Sequence, residues 1–136
     1  MVRPGRLARS GGAVAKPART QPFQAQDIVS ARHHRLVLSG ELDMVAASQL
    51  ETLIVELCSR GTSGITVDLS GITFIDSRGL RAILLARELA AEHGSEFSLI
   101  PGPPHVQRIF QLTNLLDVLP FQPYGDRESH QATERS

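Results

Sequence analysis

The sequence predicts an α/β fold, with a mixed sheet of four to five strands and a parallel centre. Two observations carry this prediction. Apolar runs with the spacing of strands alternate along the chain with longer segments of helical spacing. The resulting order of strand, helix, strand, helix and strand requires right-handed crossovers, which place consecutive strands parallel to one another. A length of 136 residues favours one domain.

A hairpin and a buried strand are predicted at the start of the domain. Residues 23–30 favour a first strand, and the Arg-His-His run at 32–34 favours the turn that follows it. The adjacent histidines have no acid or cysteine at ligand spacing, so a solvated turn is favoured over a metal site. Residues 36–38 are apolar and end at Ser39 and Gly40, which is the pattern of a buried strand entering a loop.

A first helix is predicted between Asp43, an N-cap, and Gly61, a C-terminal stop. Cys58 belongs to its apolar stripe, so we interpret the cysteine as a small core residue and not as a nucleophile. The stripe consists of Ala46, Ala47, Leu50, Leu53, Ile54, Leu57 and Cys58.

A second strand–helix unit follows. Residues 65–69 alternate apolar and polar side chains, and residues 70–71 supply the Ser-Gly chemistry of a turn. Residues 72–75 are too few for another full strand and are interpreted as an apolar connection under the sheet. Helical spacing then runs from Ser77 to Gly94.

This second helix carries two apolar stripes, although one is enough to dock a helix on a sheet. The stripe expected to face the sheet consists of Leu80, Ile83, Leu84 and Ala91. The other stripe either packs under the C-terminal helix or stays partly exposed beside Arg78 and Arg81. Its residues are Ala82, Leu85, Ala86 and Leu89.

The end of the domain is predicted to hold a strand at 97–100, ended by the proline-rich segment 101–104. A short last helix follows, and residues 115–116 and 118–121 are expected to cover an edge. The apolar residues of that helix are Val106, Ile109, Phe110 and Leu112.

Two polar segments, residues 41–43 and residues 76–77, fall at the carboxyl ends of predicted parallel strands. Functional loops gather at this edge of such sheets, so we expect the two segments to be neighbours and to share a partner-binding surface. A helix N-terminus tolerates an anion, so a phosphate on Ser77 would be accepted by the helix while it repels a docked partner beside Asp76. The alternative is that Asp76 or Ser77 is only an N-cap.

Three segments carry a family resemblance: SGELD at 39–43, VDLSGITFIDSRGL at 67–80 and PHVQRIFQLTNLLDVLPF at 104–121. In this order and spacing they resemble the anti-sigma factor antagonists, which are single-domain members of the STAS family. The resemblance implies the STAS fold, with about four helices packed on the mixed sheet. We expect this domain to span 23–124, between a disordered basic tail at 1–22 and a flexible polar tail at 125–136.

The resemblance also implies a switch. In that family the serine after the aspartate of the D-S-x-G-L motif is phosphorylated, and Ser77 occupies this position here. The implied partners are an anti-sigma factor with serine kinase activity of the GHKL type, which the unphosphorylated protein binds so that a sigma factor is freed, and a metal-dependent serine phosphatase. The expected partner-binding residues are Glu41, Asp43, Asp76, Ser77, Arg78, Gly79 and Arg81.

One position departs from the family pattern, because Arg78 stands where a small residue is common. Its bulk and charge should alter kinase docking, and its guanidinium could hold a phosphate bidentately. The alternative to a switch is a non-switching STAS scaffold subunit of a transport or stress-sensing complex. We do not expect an enzyme, because the I-D-S-R-G segment lacks the first glycine of a nucleophile elbow and no histidine is placed as its base.

Composition sets further expectations. Residues 1–22 hold five basic side chains and no acid, whereas the rest of the chain holds 9 basic and 14 acidic side chains. This balance argues against direct nucleic-acid binding by the domain. Cys58 is the single cysteine and no apolar run is long enough to span a membrane, so we expect a cytoplasmic protein without a cofactor or metal.

Overall fold

The computed structural model describes residues 21–123. The predicted tail at 125–136 and nearly all of the predicted tail at 1–22 lie outside these residues and stay predictions. The elements in chain order are β1 (Gln24–Ser30), β2 (His33–Leu42), α1 (Met44–Ser59), β3 (Gly64–Ile75), α2 (Ser77–Glu92), β4 (Glu96–Ile100) and α3 (Pro104–Leu112). The α/β class is confirmed, with three α-helices in the described part of the chain where about four were expected.

The sheet has four strands in the order β1-β2-β3-β4. β1 pairs antiparallel with β2, whereas β2 with β3 and β3 with β4 are parallel, so the predicted parallel centre is confirmed. Phe121 forms a parallel bridge with Leu99 beside β4. Leu99 donates to the Pro120 carbonyl at 3.1 Å and accepts from Gln122 at 2.8 Å, so the C-terminal segment covers this edge as predicted.

The hairpin turn lies one to two residues earlier than the sequence predicts. Ala31 and Arg32 have φ of +50° and +68°, and Ser30 faces His33 across the hairpin. Positive φ at both central residues is the geometry of a two-residue turn that matches the strand twist. His33 and His34 therefore belong to β2, where His34 Nδ1 lies 3.0 Å from the Asp27 carboxylate.

The predicted turn at Ser70 and Gly71 is wrong, because β3 continues through both residues to Ile75. The predicted end of β2 at Ser39 and Gly40 is wrong for the same reason, since β2 continues to Leu42. The two strands stay paired by shifting register twice, between Val37 and Ser39 and between Gly40 and Glu41. A Cβ on Gly71 would lie 2.8 Å from the Leu38 carbonyl oxygen, so the Ser-Gly pair allows a close strand approach and not a turn.

Helix boundaries follow the predicted caps. Asp43 caps α1, and Gly61 follows the helix with φ of +80°. Asp76 caps α2, and Gly94 follows it with φ of +72°. Positive φ at the residue after a helix is where glycine is favoured, which explains why both ends could be read from the sequence.

α2 packs against α1 as well as on the sheet, which was not predicted. Leu85 and Leu89 of the second stripe stay partly exposed, as one of the two predicted arrangements has it. Ala82 and Ala86 of the second stripe are buried, and their small side chains suit close packing of two helices. In the stripe expected to face the sheet, Leu80 and Ile83 are buried but Ala91 is exposed. The sheet-facing assignment of Ala91 is therefore wrong.

The main core lies between the sheet and the helices. It includes Leu36, Leu38, Leu42, Ile65, Val67, Leu69, Ile83, Val106 and Phe110, and Cys58 joins it as predicted. Phe110 of α3 packs edge-on against Phe121, with 5.0 Å between ring centroids. Leu112 is the last residue of this helix, as predicted, and is 67% exposed.

The opposite face of the sheet is polar at its centre. Thr66 Oγ1 lies 2.9 Å from His33 Nε2 and 3.0 Å from Ser98 Oγ, which links three neighbouring strands. Asp68 is buried and accepts from the backbone N–H and hydroxyl of Ser70. Thr66, Ser98, Ser70 and Asp68 thus find partners on this face, whereas the buried Nε of Arg35 has no hydrogen-bond partner among residues 21–123 and lies 3.9 Å from the Asp68 carboxylate.

Candidate partner-binding site

The two predicted site segments meet at one edge of the sheet. Leu42 at the end of β2 pairs with Ile75 at the end of β3. The Asp76 N–H also points at the Leu42 carbonyl oxygen, 3.4 Å away. α1 and α2 therefore begin side by side, and residues 41–43 are neighbours of residues 76–77, as predicted.

Both aspartates at this edge act as helix caps. Asp43 Oδ1 accepts from the Ala46 N–H and Asp76 Oδ1 accepts from the Gly79 N–H, each at 3.0 Å. Each carboxylate is half-buried and satisfies a helix N–H that has no partner within the helix. Of the two residues considered for the cap of α2, Asp76 is therefore the one that fills it.

Ser77 is the first residue of α2 and is exposed. Its hydroxyl makes no hydrogen bond to any residue between 21 and 123. A group added to Ser77 therefore replaces no contact of the folded domain and leaves the Asp76 cap in place. The position is chemically available for modification.

Gly79 seats the first turn of α2 against β2. It is buried, and a Cβ there would collide with the Leu42 carbonyl oxygen and lie 2.9 Å from Ile75 Cγ1. This position favours a positioning role for Gly79 and not direct contact with a partner.

Two cations flank the site. Arg78 and Arg81 are exposed, and Arg78 Nη1 lies 3.9 Å from Met44 Sδ at the start of α1. Glu41 is half-buried in β2, two residues before the α1 cap. The edge therefore presents acidic and basic groups close together.

Three large apolar side chains lie exposed at the same end of the sheet. Phe74, Met44 and Val45 have exposed fractions of 46%, 55% and 65%. We call them the apolar rim. The predicted place of Phe74 in an apolar connection under the sheet is wrong, because Phe74 is an exposed residue of β3 next to the buried Ile75. Met44 and Val45 fall outside the apolar stripe of α1, so helical periodicity does not indicate their place at the site.

Other classes of site find little support in the described residues. No group of three or more His, Cys, Asp or Glu side chains between 21 and 123 has the geometry to hold a metal ion. Within the same range, none of the helices combines the length and the hydrophobicity needed to cross a bilayer.

A groove of about 790 Å³ lies between α3 and the segment that follows it, lined in part by Arg108, Leu116 and Phe121.

Comparison with known proteins points to one family. A family model described as "Mlab, STAS domain" matches residues 28–120. The protein BtrV of Bordetella bronchiseptica, provisionally named an anti-sigma factor antagonist, is 29% identical over 83 residues, covering 61% of this chain and 72% of BtrV. The anti-sigma-B factor antagonist of Staphylococcus aureus is 24% identical over 88 residues, covering 65% of this chain and 82% of its own.

Solved structures agree with the fold. An anti-sigma factor antagonist from Mycobacterium paratuberculosis superposes with a TM-score of 0.67 at 25% identity, over 75% of this chain and 86% of its own. Unphosphorylated SpoIIAA superposes with a TM-score of 0.64 at 21% identity, over 82% of this chain and 97% of its own. The phosphorylated form of SpoIIAA from Bacillus gives a TM-score of 0.60 at 21% identity, over 80% of this chain and 98% of its own.

Proposed function

The chain belongs to the STAS domain family, and from that premise we propose that it is an anti-sigma factor antagonist controlled by phosphorylation of Ser77. The unphosphorylated protein binds an anti-sigma factor with GHKL-type serine kinase activity, and so releases a sigma factor. The kinase transfers phosphate from ATP to Ser77, and a metal-dependent serine phosphatase removes it. The module is cytoplasmic, carries no cofactor and is not itself an enzyme.

The observation that carries this proposal is the placement of Ser77. The residue is exposed at the start of α2, directly after the Asp76 cap, and its hydroxyl has no partner within residues 21–123. A kinase active site can reach such a hydroxyl without unfolding the helix. The phosphoserine would then sit at the edge where two helices begin.

The surroundings of Ser77 suit a protein partner. The apolar rim supplies contact area, and Met, aromatic and Arg side chains are enriched in protein interfaces. Met44 and Phe74 are exposed here together with Arg78. A partner that covers the rim also covers Ser77 or lies directly beside it.

Phosphate weakens such an interface for an electrostatic reason. A phosphoserine carries a charge of about −1.5 to −2 near neutral pH. It would stand beside Asp76, so a partner shaped for the free hydroxyl has to desolvate two anionic groups in close contact. A coupling free energy of about 1 to 3 kcal/mol between phosphorylation and partner binding, equivalent to about 5- to 150-fold in affinity, is enough for a regulatory switch.

The test is to purify the GHKL-type anti-sigma factors encoded in the same genome and to measure their affinity for the full chain by calorimetry. Ser77→Ala is expected to bind like the wild type and to accept no phosphate, whereas Ser77→Asp is expected to bind about 5- to 150-fold more weakly. Ser63→Ala and Ser63→Asp are matched controls, because Ser63 is exposed in the loop before β3, at the opposite end of the sheet.

Equal binding by both Ser77 variants would instead favour the non-switching scaffold. The same conclusion would follow if Ser77 carried no phosphate in protein isolated from its own cells before and after stress, as measured by tandem mass spectrometry.

A further inference from the structure

We propose that Arg81 is the internal counter-ion of a phosphoryl group on Ser77. The inference rests on the proposed function, because it concerns the phosphorylated form. Arg81 would pair with the phosphate that Ser77 carries, and the two arginines at this helix end would have different roles.

The spacing of the two residues favours contact. Ser77 and Arg81 are four residues apart in α2, and both are exposed. Residues at this spacing are neighbours on one helix face, with Cβ atoms about 5 to 6 Å apart. The order also suits the helix, because the anionic partner precedes the cationic one. A guanidinium reaches a phosphate at about 2.7 to 2.9 Å across such a gap, by two parallel hydrogen bonds.

Arg81 is also available. Among residues 21–123 it forms no hydrogen bond and no ion pair. Its neighbours three and four positions away on α2 are Arg78, Leu84, Leu85 and Ser77, so no acidic side chain on its own helix face competes for it.

At the unphosphorylated helix end the Asp76 cap stands beside two cations of α2. Arg78 and Arg81 are like charges at a spacing of three residues, and the first turn of α2 contains no acidic residue. Arg78 lies in the first turn, at the positive end of the helix dipole, and Arg81 follows one turn after Ser77. A dianionic group at Ser77 would reduce the repulsion between the two arginines and interact favourably with the dipole, against the repulsion from Asp76.

Arg78 is the poorer candidate for the phosphate. Its guanidinium is directed at Met44 of α1, and residues adjacent in a helix do not face each other. Arg78 therefore contributes to the surface between α1 and α2, whereas Arg81 forms the ion pair with the phosphate. In the free form Arg81 can pair with an acidic group of the partner, and phosphorylation would withdraw it. The modification would thus remove a partner contact as well as add a charge.

The test is a ³¹P NMR pH titration of the full chain with phosphoserine installed at position 77 during translation. A bound guanidinium favours the dianion, so Arg81→Gln is expected to raise the pKa of the phosphoserine by about 0.1 to 0.4 unit relative to the unsubstituted protein, and Arg81→Lys by less. Arg87→Gln is the matched control, because Arg87 is an exposed arginine ten residues from Ser77 on the same helix. The charged groups near Ser77 that stay unchanged in the Arg81 series are Glu41, Asp43, Asp76 and Arg78.

A pKa shift in Arg81→Gln no larger than in Arg87→Gln would overturn the inference, and so would a larger shift in Arg78→Gln than in Arg81→Gln. Because translation installs the phosphoserine, the titration needs no kinase. Absence of phosphate on Ser77 in cells would refute the proposed function and leave this result intact.

Discussion

Gly79→Ala tests the contact that fixes the start of α2 on the end of β2. The added Cβ would lie 2.9 Å from Ile75 Cγ1 and 3.0 Å from Leu42 Cγ, and it would collide with the Leu42 carbonyl oxygen. That oxygen belongs to a paired strand, so it cannot swing aside as the end of a flexible side chain can. The helix turn itself has to move.

Two opposing effects decide the size of the change. Alanine is favoured over glycine within a helix by about 1 kcal/mol. Overpacking a buried site costs about 1 to 3 kcal/mol and occasionally more. Because the collision here is with backbone, we expect a steric cost of about 2 to 3 kcal/mol, which after the helix gain lowers the free energy of unfolding by about 1 to 2 kcal/mol. For a domain of this size each kcal/mol lowers Tm by about 4 to 8 °C.

The assay is urea unfolding followed by far-ultraviolet circular dichroism, since the chain has no tryptophan to report by fluorescence. Gly94→Ala is the control for a methyl group added without collision, because no atom lies within 4 Å of the new Cβ although φ is +72°. Its loss of stability measures backbone strain alone. A Gly79→Ala protein as stable as the wild type, or more stable, would refute the steric reasoning.

Three further predictions concern the cap, the polar sheet face and the core thiol. Asp76→Ala removes the acceptor of a first-turn N–H and is expected to cost about 1 kcal/mol in urea unfolding, whereas Asp76→Asn keeps most of the stability; equal losses would argue against a cap role. Thr66→Val removes the hydroxyl between His33 and Ser98 and is expected to cost about 1 to 3 kcal/mol, and a neutral result would show that the link is unimportant. Burial raises the pKa of the Cys58 thiol above its ordinary 9.0, so the folded protein is expected to react slowly with a disulfide reagent at about pH 8 and the urea-unfolded chain quickly. Because the folded thiol stays protonated where the unfolded one ionises, the free energy of unfolding is expected to decrease as pH rises above 9.0, and fast labelling of the folded protein would contradict both expectations.

Local signals were sufficient for the helices. The acidic caps at Asp43 and Asp76 and the glycines at Gly61 and Gly94 mark helix ends by chemistry that involves only neighbouring residues. The approach of the two site segments was also predictable, because parallel strands bring their carboxyl ends to the same edge.

Pairing between strands overrode local signals elsewhere. Ser70 and Gly71 have the chemistry of a turn, yet the ladder with β2 keeps them extended and uses Gly71 for close approach. The actual hairpin turn, at Ala31 and Arg32, contains no glycine or asparagine that would have marked it.

Exposure at the site edge could not be inferred from periodicity. Phe74 is exposed because of the face of the sheet on which its side chain falls in β3. That face is set by the register shifts with β2, which depend on contacts between the two strands. Ala82 and Ala86 were similarly ambiguous, since their burial depends on where α1 lies.

The close contact of Gly79 with β2 divides the first turn of α2 into two sides with different roles. The side of the first α2 turn that rests on β2 determines whether the domain folds, whereas the outward side, with Ser77, Arg78 and Arg81, contributes little to folding. Substitutions on the outward side are therefore nearly free to accumulate. Under the proposed function, paralogues in one cell could diverge at these positions, so that each is recognised by a different kinase, with little change in thermal stability.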